Sequence, residues 1–204
     1  DISEFKLKLS KMGVSGAVFD MVKLLKEYKN VIAKYSAKEV YDFVNAWAKE
    51  YDKELFEMLK DEEYALKVFG IERENSKKPR KDLAKWSDVK NSIIYMYERP
   101  KEYDFDKIPL TDAKKVIEEY LNIYDYNDDK QVWFNKIKDV AEKLGYAREV
   151  KEYKQNPEKW PGHVGDISTV IRVALTGRRN TPDMYEIMQV LGKEEVENRL
   201  RKIM

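Results

Sequence analysis

The sequence of 204 residues contains no cysteine and a single histidine, His163. The absence of cysteine excludes disulfides, thiolate zinc sites and cysteine nucleophiles, and one histidine excludes metal sites built from several imidazoles. Long apolar runs are missing too, since no stretch approaches the ~20 residues that a membrane-spanning helix needs. Residues 1–5 do not combine a basic region with an apolar stretch, so no secretory signal is visible. The sequence therefore excludes a membrane-embedded protein, and we expect a cytoplasmic one.

Charge is balanced over the whole chain but clustered locally. The formal net charge is +1, which by itself argues neither for nor against a nucleic-acid partner. Residues 73–85 carry six lysines and arginines against two acids, and residues 167–182 carry three arginines and no acid. Two basic segments of this kind favour contact with an anionic partner.

Helical periodicity dominates the sequence. Ser36 and Glu39 have the spacing of a capping box, and apolar residues follow at three- and four-residue steps. Thr111 is a candidate N-cap for another helix. A third helix is predicted through Trp133, with Gly145 as its left-handed end. Residues 92–97 are rich enough in β-branched and aromatic residues to form a strand, but no partner run is evident, and we predict a helix there.

The C-terminal part has the clearest helix boundaries. Asp166 can cap a helix that ends at Gly177. Thr181–Asp183 then has the pattern of an N-cap, a proline at the first helical position and an acid near the positive helix end. Gly192 ends that helix, and a final short helix follows. The sequence therefore predicts an all-α fold, interrupted by irregular segments at residues 72–81, 98–109 and 154–165.

Two motifs that suggest chemistry are not supported by the rest of the chain. Lys8–Met12 resembles the lysine-rich ATP loop of class I aminoacyl-tRNA synthetases, but the partner motif of that loop needs two histidines. Asp125, Asn127 and Asp129 have the spacing that starts a calcium loop, yet Lys130 replaces the glycine that such a loop requires. We therefore predict no catalytic residues and no metal site in this chain.

The aromatic content allows two different functions. The 14 tyrosines and 4 tryptophans beside basic irregular segments suit single-stranded RNA, whose bases are recognised by stacking and by hydrogen bonds to their edges. The alternative is that the aromatics are simply core and that the chain is a helical protein-interaction module. That module predicts an apolar groove or an exposed apolar stripe, with Arg80 and Arg172 engaged in ion pairs. A basic face joining Arg80 to Thr181 would argue against it.

Five segments carry a family resemblance. Ile171-Arg-Val-Ala-Leu-Thr-Gly177, Asn180-Thr-Pro-Asp-Met-Tyr-Glu-Ile187 and Leu191-Gly-Lys193 closely resemble the C-terminus of bacterial-type glutamyl-tRNA synthetases. Ser15-Gly-Ala-Val-Phe-Asp20 is similar to the junction that leaves the stem-contact domain of that family. Lys78-Pro79-Arg80 is similar to a basic segment of the first anticodon-binding subdomain. The resemblance spans nearly the whole chain.

The resemblance implies a domain organisation and an activity. Residues 1–30 would be the end of the stem-contact domain, and residues 31–104 and 105–204 would be two helical anticodon-binding subdomains. The parent enzyme would ligate glutamate to its tRNA with ATP. Because Lys8–Met12 lies next to the junction rather than well before it, the catalytic domain with its ATP and magnesium is expected to be absent. We therefore expect an inactive, monomeric fragment without a cofactor, whose partner is the anticodon arm of a glutamate tRNA.

The resemblance also assigns candidate binding residues. Arg80 matches the position at which an arginine helps to recognise the last anticodon base, and a guanidinium suits that task because its donors form a flat, fixed fork. Arg172, Thr181, Pro182 and Met184 match positions that surround the anticodon bases at a helix N-terminus, where free N–H groups favour a polar or anionic partner. Phosphate contacts are expected from five further cations: Lys77, Lys78, Lys81, Arg178 and Arg179.

Each assignment has a plainer alternative. Thr181 and Pro182 would start a helix in any protein. Arg172 could pair with an acid on its own helix, such as Asp166.

Overall fold

The fold is built from helices. A computed structural model describes residues 20–73, 76 and 78–204, together with Glu4, Lys6, Lys8, Ser10 and Gly13. Within these residues there are eleven α-helices. They are α1 (Met21–Ile32), α2 (Ala37–Tyr51), α3 (Lys53–Met58), α4 (Glu62–Gly70), α5 (Val89–Tyr97), α6 (Leu110–Leu121), α7 (Lys130–Lys143), α8 (Val150–Gln155), α9 (Val164–Thr176), α10 (Met184–Leu191) and α11 (Lys193–Arg201).

The predicted all-α class is confirmed. Two 3₁₀ turns, Trp86–Asp88 and Pro157–Lys159, lie between these helices. The described residues contain no strand, only an isolated parallel bridge between Ala147 and His163. None of the helices among them has the length and apolarity to cross a membrane. Most of the Lys8–Met12 motif and of the Ser15–Asp20 segment lies outside the described residues.

Several predicted helix boundaries are confirmed. The Ser36 backbone N–H donates to Glu39 Oε2 over 2.8 Å, and the Glu39 N–H donates to Ser36 Oγ over 3.2 Å, so α2 begins with a capping box. Gly145 (φ 79°), Gly177 (φ 69°) and Gly192 (φ 79°) end α7, α9 and α10 with positive φ. Glycine suits such positions because it lacks the Cβ that crowds the left-handed backbone. Residues 92–97 lie in α5, as predicted.

Two predicted N-caps are wrong. Thr111 lies inside α6, where Pro109 holds the cap position and its carbonyl accepts the Asp112 and Ala113 N–H groups. Asp166 lies in the first turn of α9, and His163 is the N-cap. His163 Nδ1 accepts from the Gly165 N–H (2.9 Å), while Asp166 Oδ2 accepts from the His163 N–H (2.8 Å). The two side chains thus form a reciprocal box, so the acid three residues beyond the cap was mistaken for the cap itself.

The third correction concerns α10, which begins at Met184 rather than Pro182. Asp183 is its N-cap, and Asp183 Oδ1 accepts from the Glu186 N–H over 3.0 Å. The Thr181 hydroxyl instead accepts a hydrogen bond from Arg172 and donates to the Pro182 carbonyl. Since its hydroxyl is used in this way, Thr181 belongs to the loop between α9 and α10.

Two apolar cores lie on either side of α10. One consists of residues between Ile32 and Met96 and also takes in Ile187 from α10. The other consists of residues between Phe105 and Ile203, including Met184 and Met188. Successive residues of α10 therefore pack into different cores, and the start of this helix lies where the two meet.

Candidate nucleic-acid interface

Two adjoining cavities open at the α9–α10 loop. The smaller one, of about 320 Å³, is bounded by the basic segment after α4, by α5 and by the loop. The larger one, of about 630 Å³, is bounded by α7, α9 and the start of α10. Glu72, Thr181 and Pro182 line both of them. The two basic segments of the sequence therefore meet at this double cavity.

Arg80 is fixed at the wall of the smaller cavity. Its side chain is 7% exposed. Its Nε lies 3.0 Å from both carboxylate oxygens of Asp82, and Nη2 also contacts Oδ2. Burial raises the pKa of Asp82, but the hydrogen bonds and the charge of Arg80 outweigh it and lower that pKa overall. The pair therefore stays ionised at neutral pH, and the guanidinium is held in one orientation.

Arg178 closes another side of the same cavity. Its Nη2 donates to the backbone carbonyl of Asn91 and, over 3.0 Å, to Asn91 Oδ1. Its guanidinium also lies 5.2 Å from the centre of the Tyr95 ring. These contacts join the α9–α10 loop to α5 and keep a cation at the cavity wall.

Arg172 holds the loop from the side of the larger cavity. Its Nη1 donates to Thr181 Oγ1 (2.5 Å), to the Pro182 carbonyl (3.0 Å) and to the Thr181 carbonyl (3.3 Å). Burial lowers the pKa of this half-buried guanidinium. No Arg172–Asp166 pair occurs in the described part of the chain; Asp166 pairs with Lys107 over 3.0 Å. The suggested pairing within α9 is therefore wrong.

Carboxylates surround the first turn of α10. Besides capping the helix, Asp183 donates its backbone N–H to Glu72 Oε2 over 3.1 Å. Glu72 in turn donates its N–H to Glu186 Oε2 over 2.7 Å. Lys130 provides a counter-charge 2.8 Å from Asp183 Oδ2. The positive end of this helix is thus already satisfied by the protein's own acids, which leaves the junction of the two cavities unsuited to a phosphate.

The larger cavity has an aromatic wall that sequence analysis did not identify. Trp133, Phe134 and Met184 supply apolar surface, and Gln131 and Ser168 supply polar groups. Phe134 is 36% exposed, although it neighbours the buried Trp133. The signal for it was its place in α7, because consecutive helix positions point about 100° apart and a large apolar residue beside a core residue must face elsewhere.

The structure brings together only some of the predicted site residues. The smaller cavity is lined by Arg80 and Arg178, and the larger one by Arg172 and the buried Met184. Thr181 and Pro182 line both.

The other three predicted cations that the structure describes lie outside both cavities. Lys78 and Lys81 are exposed and line neither of them, and Lys77 lies outside the described residues. Arg179 turns away and pairs with Asp106 over 2.6 Å. Among the residues that the structure describes, no cluster of three or more potential ligands could hold a metal ion.

Comparison with known proteins gives the same region of the chain a role. A family described as an anticodon binding domain matches residues 161–204. The chain is 44% identical to a glutamate–tRNA ligase of Clostridium perfringens and 43% identical to one of Acetivibrio thermocellus. Both alignments cover 100% of this chain but 38% of the relative. The matched part is the C-terminal part of those ligases.

A solved structure shows the same fold. The helices superpose on the crystal structure of a glutamate tRNA ligase from Elizabethkingia meningosepticum with a TM-score of 0.60 at 16% identity, over 97% of this chain and 35% of that one. Identity this low supports only the fold, whereas the curated relatives support the family. By sequence, the chain belongs with the C-terminal, anticodon-binding region of the glutamate–tRNA ligases.

Proposed function

We propose that this chain binds the anticodon arm of a glutamate tRNA and recognises bases in its two cavities. The observation that carries the proposal is that the two basic segments, separated in sequence by about half the chain, line adjoining cavities at the α9–α10 loop. Each cavity combines fixed polar donors with an aromatic or apolar surface. Unstacked bases bind to surfaces of this kind through edge hydrogen bonds and stacking.

The distribution of charge supports bases inside the cavities and phosphates outside them. Glu72, Asp183 and Glu186 lie at the junction, where a phosphate would be repelled. Lys78 and Lys81 are exposed on either side of Arg80 in the sequence, and Lys77 precedes them. We assign these lysines to phosphate contacts, which add affinity without sequence preference.

The last anticodon base is assigned to the smaller cavity, where Arg80 is the recognising residue. Because Asp82 already fixes its guanidinium, little rotamer freedom is lost when a base edge binds. The remaining bases are assigned to Arg172, Thr181, Pro182 and Met184 around the larger cavity. Arg178 shapes the smaller cavity in this proposal, and Arg179, which lies outside both cavities, is assigned to a phosphate contact.

The domain organisation is part of the proposal. Residues 31–104 and 105–204 act as two anticodon-binding subdomains, one on each side of the double cavity, and residues 1–30 continue the stem-contact domain of the parent. The parent ligates glutamate to tRNA with ATP and magnesium bound in a catalytic domain that these residues do not include. The chain alone, taken as a monomer, should give no ATP–pyrophosphate exchange signal, and such a signal would contradict this part of the proposal.

The binding test compares two RNA hairpins of equal length by fluorescence anisotropy. One is the anticodon stem-loop of a glutamate tRNA, and the other has the same stem with an unrelated loop. We expect tighter binding to the first at fixed physiological salt. Equal binding that falls steeply with added salt would indicate phosphate contacts alone. No binding to either would favour the protein-interaction module.

A further inference from the structure

We propose that Glu72 is a positioning residue that keeps Arg80 and the start of α10 in one relative geometry. The inference rests on the proposed function, because it deepens the account of the same site. Glu72 follows α4 and lines both cavities. A residue in that place can set how the cavities lie relative to each other.

Three groups of Glu72 are used, and they point to both sides of the site. Its Oε2 accepts from the Asp183 N–H over 3.1 Å, and its own N–H donates to Glu186 Oε2 over 2.7 Å. Its carbonyl accepts from the Arg80 N–H over 3.2 Å. One residue therefore connects the segment that carries Arg80 to the first turn of α10.

The backbone of Glu72 indicates that tertiary contacts hold this arrangement. Its φ is 51°, in the left-handed region that few residues other than glycine adopt. Such a conformation persists only where the surroundings fix it, and it is often found at functional sites. The bonds to α10 come from residues 111 and 114 positions away in sequence. These two contacts therefore stabilise the strained backbone of Glu72.

Because Glu72 is charged, a positioning role and a purely electrostatic role predict opposite effects of its removal. Glu72 lies beside two other acids, and Lys130 and Arg172 are nearby cations that interact with it. If the Glu72 carboxylate acted only through its charge, its removal would raise the affinity for every RNA, because the repulsion of phosphates would fall. If it positions the two walls, its removal should lower the preference for the matched loop.

The test measures the affinity of wild type and variants for two stem-loops, one with the glutamate anticodon and one changed at its last anticodon base. Glu72→Ala should lower the affinity ratio between the loops at least about fivefold, which corresponds to roughly 1 kcal/mol. Glu72→Gln, which retains an acceptor oxygen, should keep the ratio within about twofold. The matched control is Glu63→Ala, because Glu63 lies on α4 with its side chain 82% exposed and pairs only with Lys67 in the described structure. It should leave the ratio unchanged.

Amide hydrogen exchange distinguishes failure of this inference from failure of the proposed function. The Asp183 amide should exchange faster in Glu72→Ala than in wild type and Glu63→Ala, because it loses its acceptor. If wild type prefers neither loop, the proposed function fails, and the role of Glu72 fails with it. If wild type shows the preference and Glu72→Ala keeps it, the inference alone is overturned. Equal loss of affinity for both loops with a lower Tm also overturns it, since that is the signature of a merely structural residue.

Discussion

At the residue scale, the two central arginines are held by the protein in different ways. Arg80 is paired with Asp82, whereas Arg172 donates to the backbone and hydroxyl oxygens of Thr181 and Pro182. An ion pair at Arg80 was expected of a protein-interaction module, but an ion pair that fixes a guanidinium also prepares it for one base edge. The placement of both arginines at adjoining cavities supports the proposed recognition of bases, whereas the ion pair of Arg80 is compatible with both hypotheses.

A pH dependence of stability is expected from Glu195. Its pKa is lowered below the ordinary 4.5, first by a hydrogen bond from Arg99 and then by Arg199. A lowered folded pKa stabilises the fold above pH 4.5, and this contribution is lost as pH falls through the folded pKa. Glu195→Gln should therefore lower the free energy of unfolding by roughly 1–3 kcal/mol at pH 7. Urea unfolding of wild type and Glu195→Gln at pH 7 and pH 3 measures this difference in stability.

The outcome against this prediction is specific. The difference in the free energy of unfolding between wild type and Glu195→Gln should shrink as the pH falls below 4.5 toward the lowered pKa of the folded state, at which the wild-type carboxylate takes up a proton. A difference that stayed the same at pH 3 would mean that Glu195 acts through packing rather than through charge.

The sequence predicted the residue types of the site better than their contacts. Arg80 and Arg172 were named from sequence, but the Asp82 and Thr181 oxygens that hold them were not, because side-chain partners depend on rotamers and on tertiary geometry. Glu72 and Phe134 were missed for a related reason. Glu72 follows a helix in a polar segment, and only contacts more than 100 residues away give it a role.

At the element scale, the candidate site lies at the loop between α9 and α10. The left-handed turn at the end of α9 sets the direction in which this loop leaves the helix. Helical periodicity predicted both helices. The start of α10 was predicted two residues too early, because Thr181 and Pro182 have the composition of a helix start. In the structure the Thr181 hydroxyl instead accepts a hydrogen bond from Arg172, so it does not cap the helix.

Gly177 is the element-scale test. Its φ is 69°, and an added Cβ would lie 3.1 Å from Pro100 Cβ and 3.3 Å from the Glu102 carbonyl oxygen. Gly177→Ala should therefore lower the free energy of unfolding by more than about 1 kcal/mol. Urea denaturation monitored by circular dichroism measures this change.

The control for this substitution is Gly70→Ala. Gly70 ends α4, and an added Cβ there would meet no atom within 4 Å. That variant should be neutral or stabilised by up to about 1 kcal/mol. Equal effects at the two glycines would show that neither the left-handed backbone nor the contact with Pro100 constrains the end of α9.

At the scale of the whole molecule, a buried arginine joins the two apolar cores. Arg199 on α11 is 2% exposed. Its Nη1 donates to the carbonyls of Tyr95, in the first core, and Leu175, in the second, and its Nε donates to Glu195 over 2.7 Å. Helix periodicity gave no sign of this contact, because it identifies the apolar face of a helix and not the partners of a polar residue on it. The connection between the two cores through Arg199 could therefore not be predicted from the sequence.

Removal of this arginine should destabilise the whole fold. Arg199→Leu removes a donor from two buried carbonyls and leaves Glu195 with Arg99 as its remaining arginine partner. Two buried acceptors without this donor cost roughly 3–5 kcal/mol. Arg201→Leu is the matched control, since Arg201 has a 64% exposed side chain and lies 3.6 Å from Glu197; it should change stability by less than about 1 kcal/mol. Urea denaturation of both variants measures the difference. A similar small effect at both positions would contradict the buried junction.

The most direct test of the base-recognising site is a comparison of wild type with Arg80→Gln on two RNA loops. Fluorescence anisotropy at fixed physiological salt compares the glutamate anticodon stem-loop with a loop changed only at the last anticodon base, and Arg201→Gln controls for the lost charge. We predict that wild type and Arg201→Gln prefer the true anticodon by at least about 1 kcal/mol and that Arg80→Gln loses this preference. An equal preference in wild type and Arg80→Gln, or none in any of the three proteins, would contradict base recognition by Arg80.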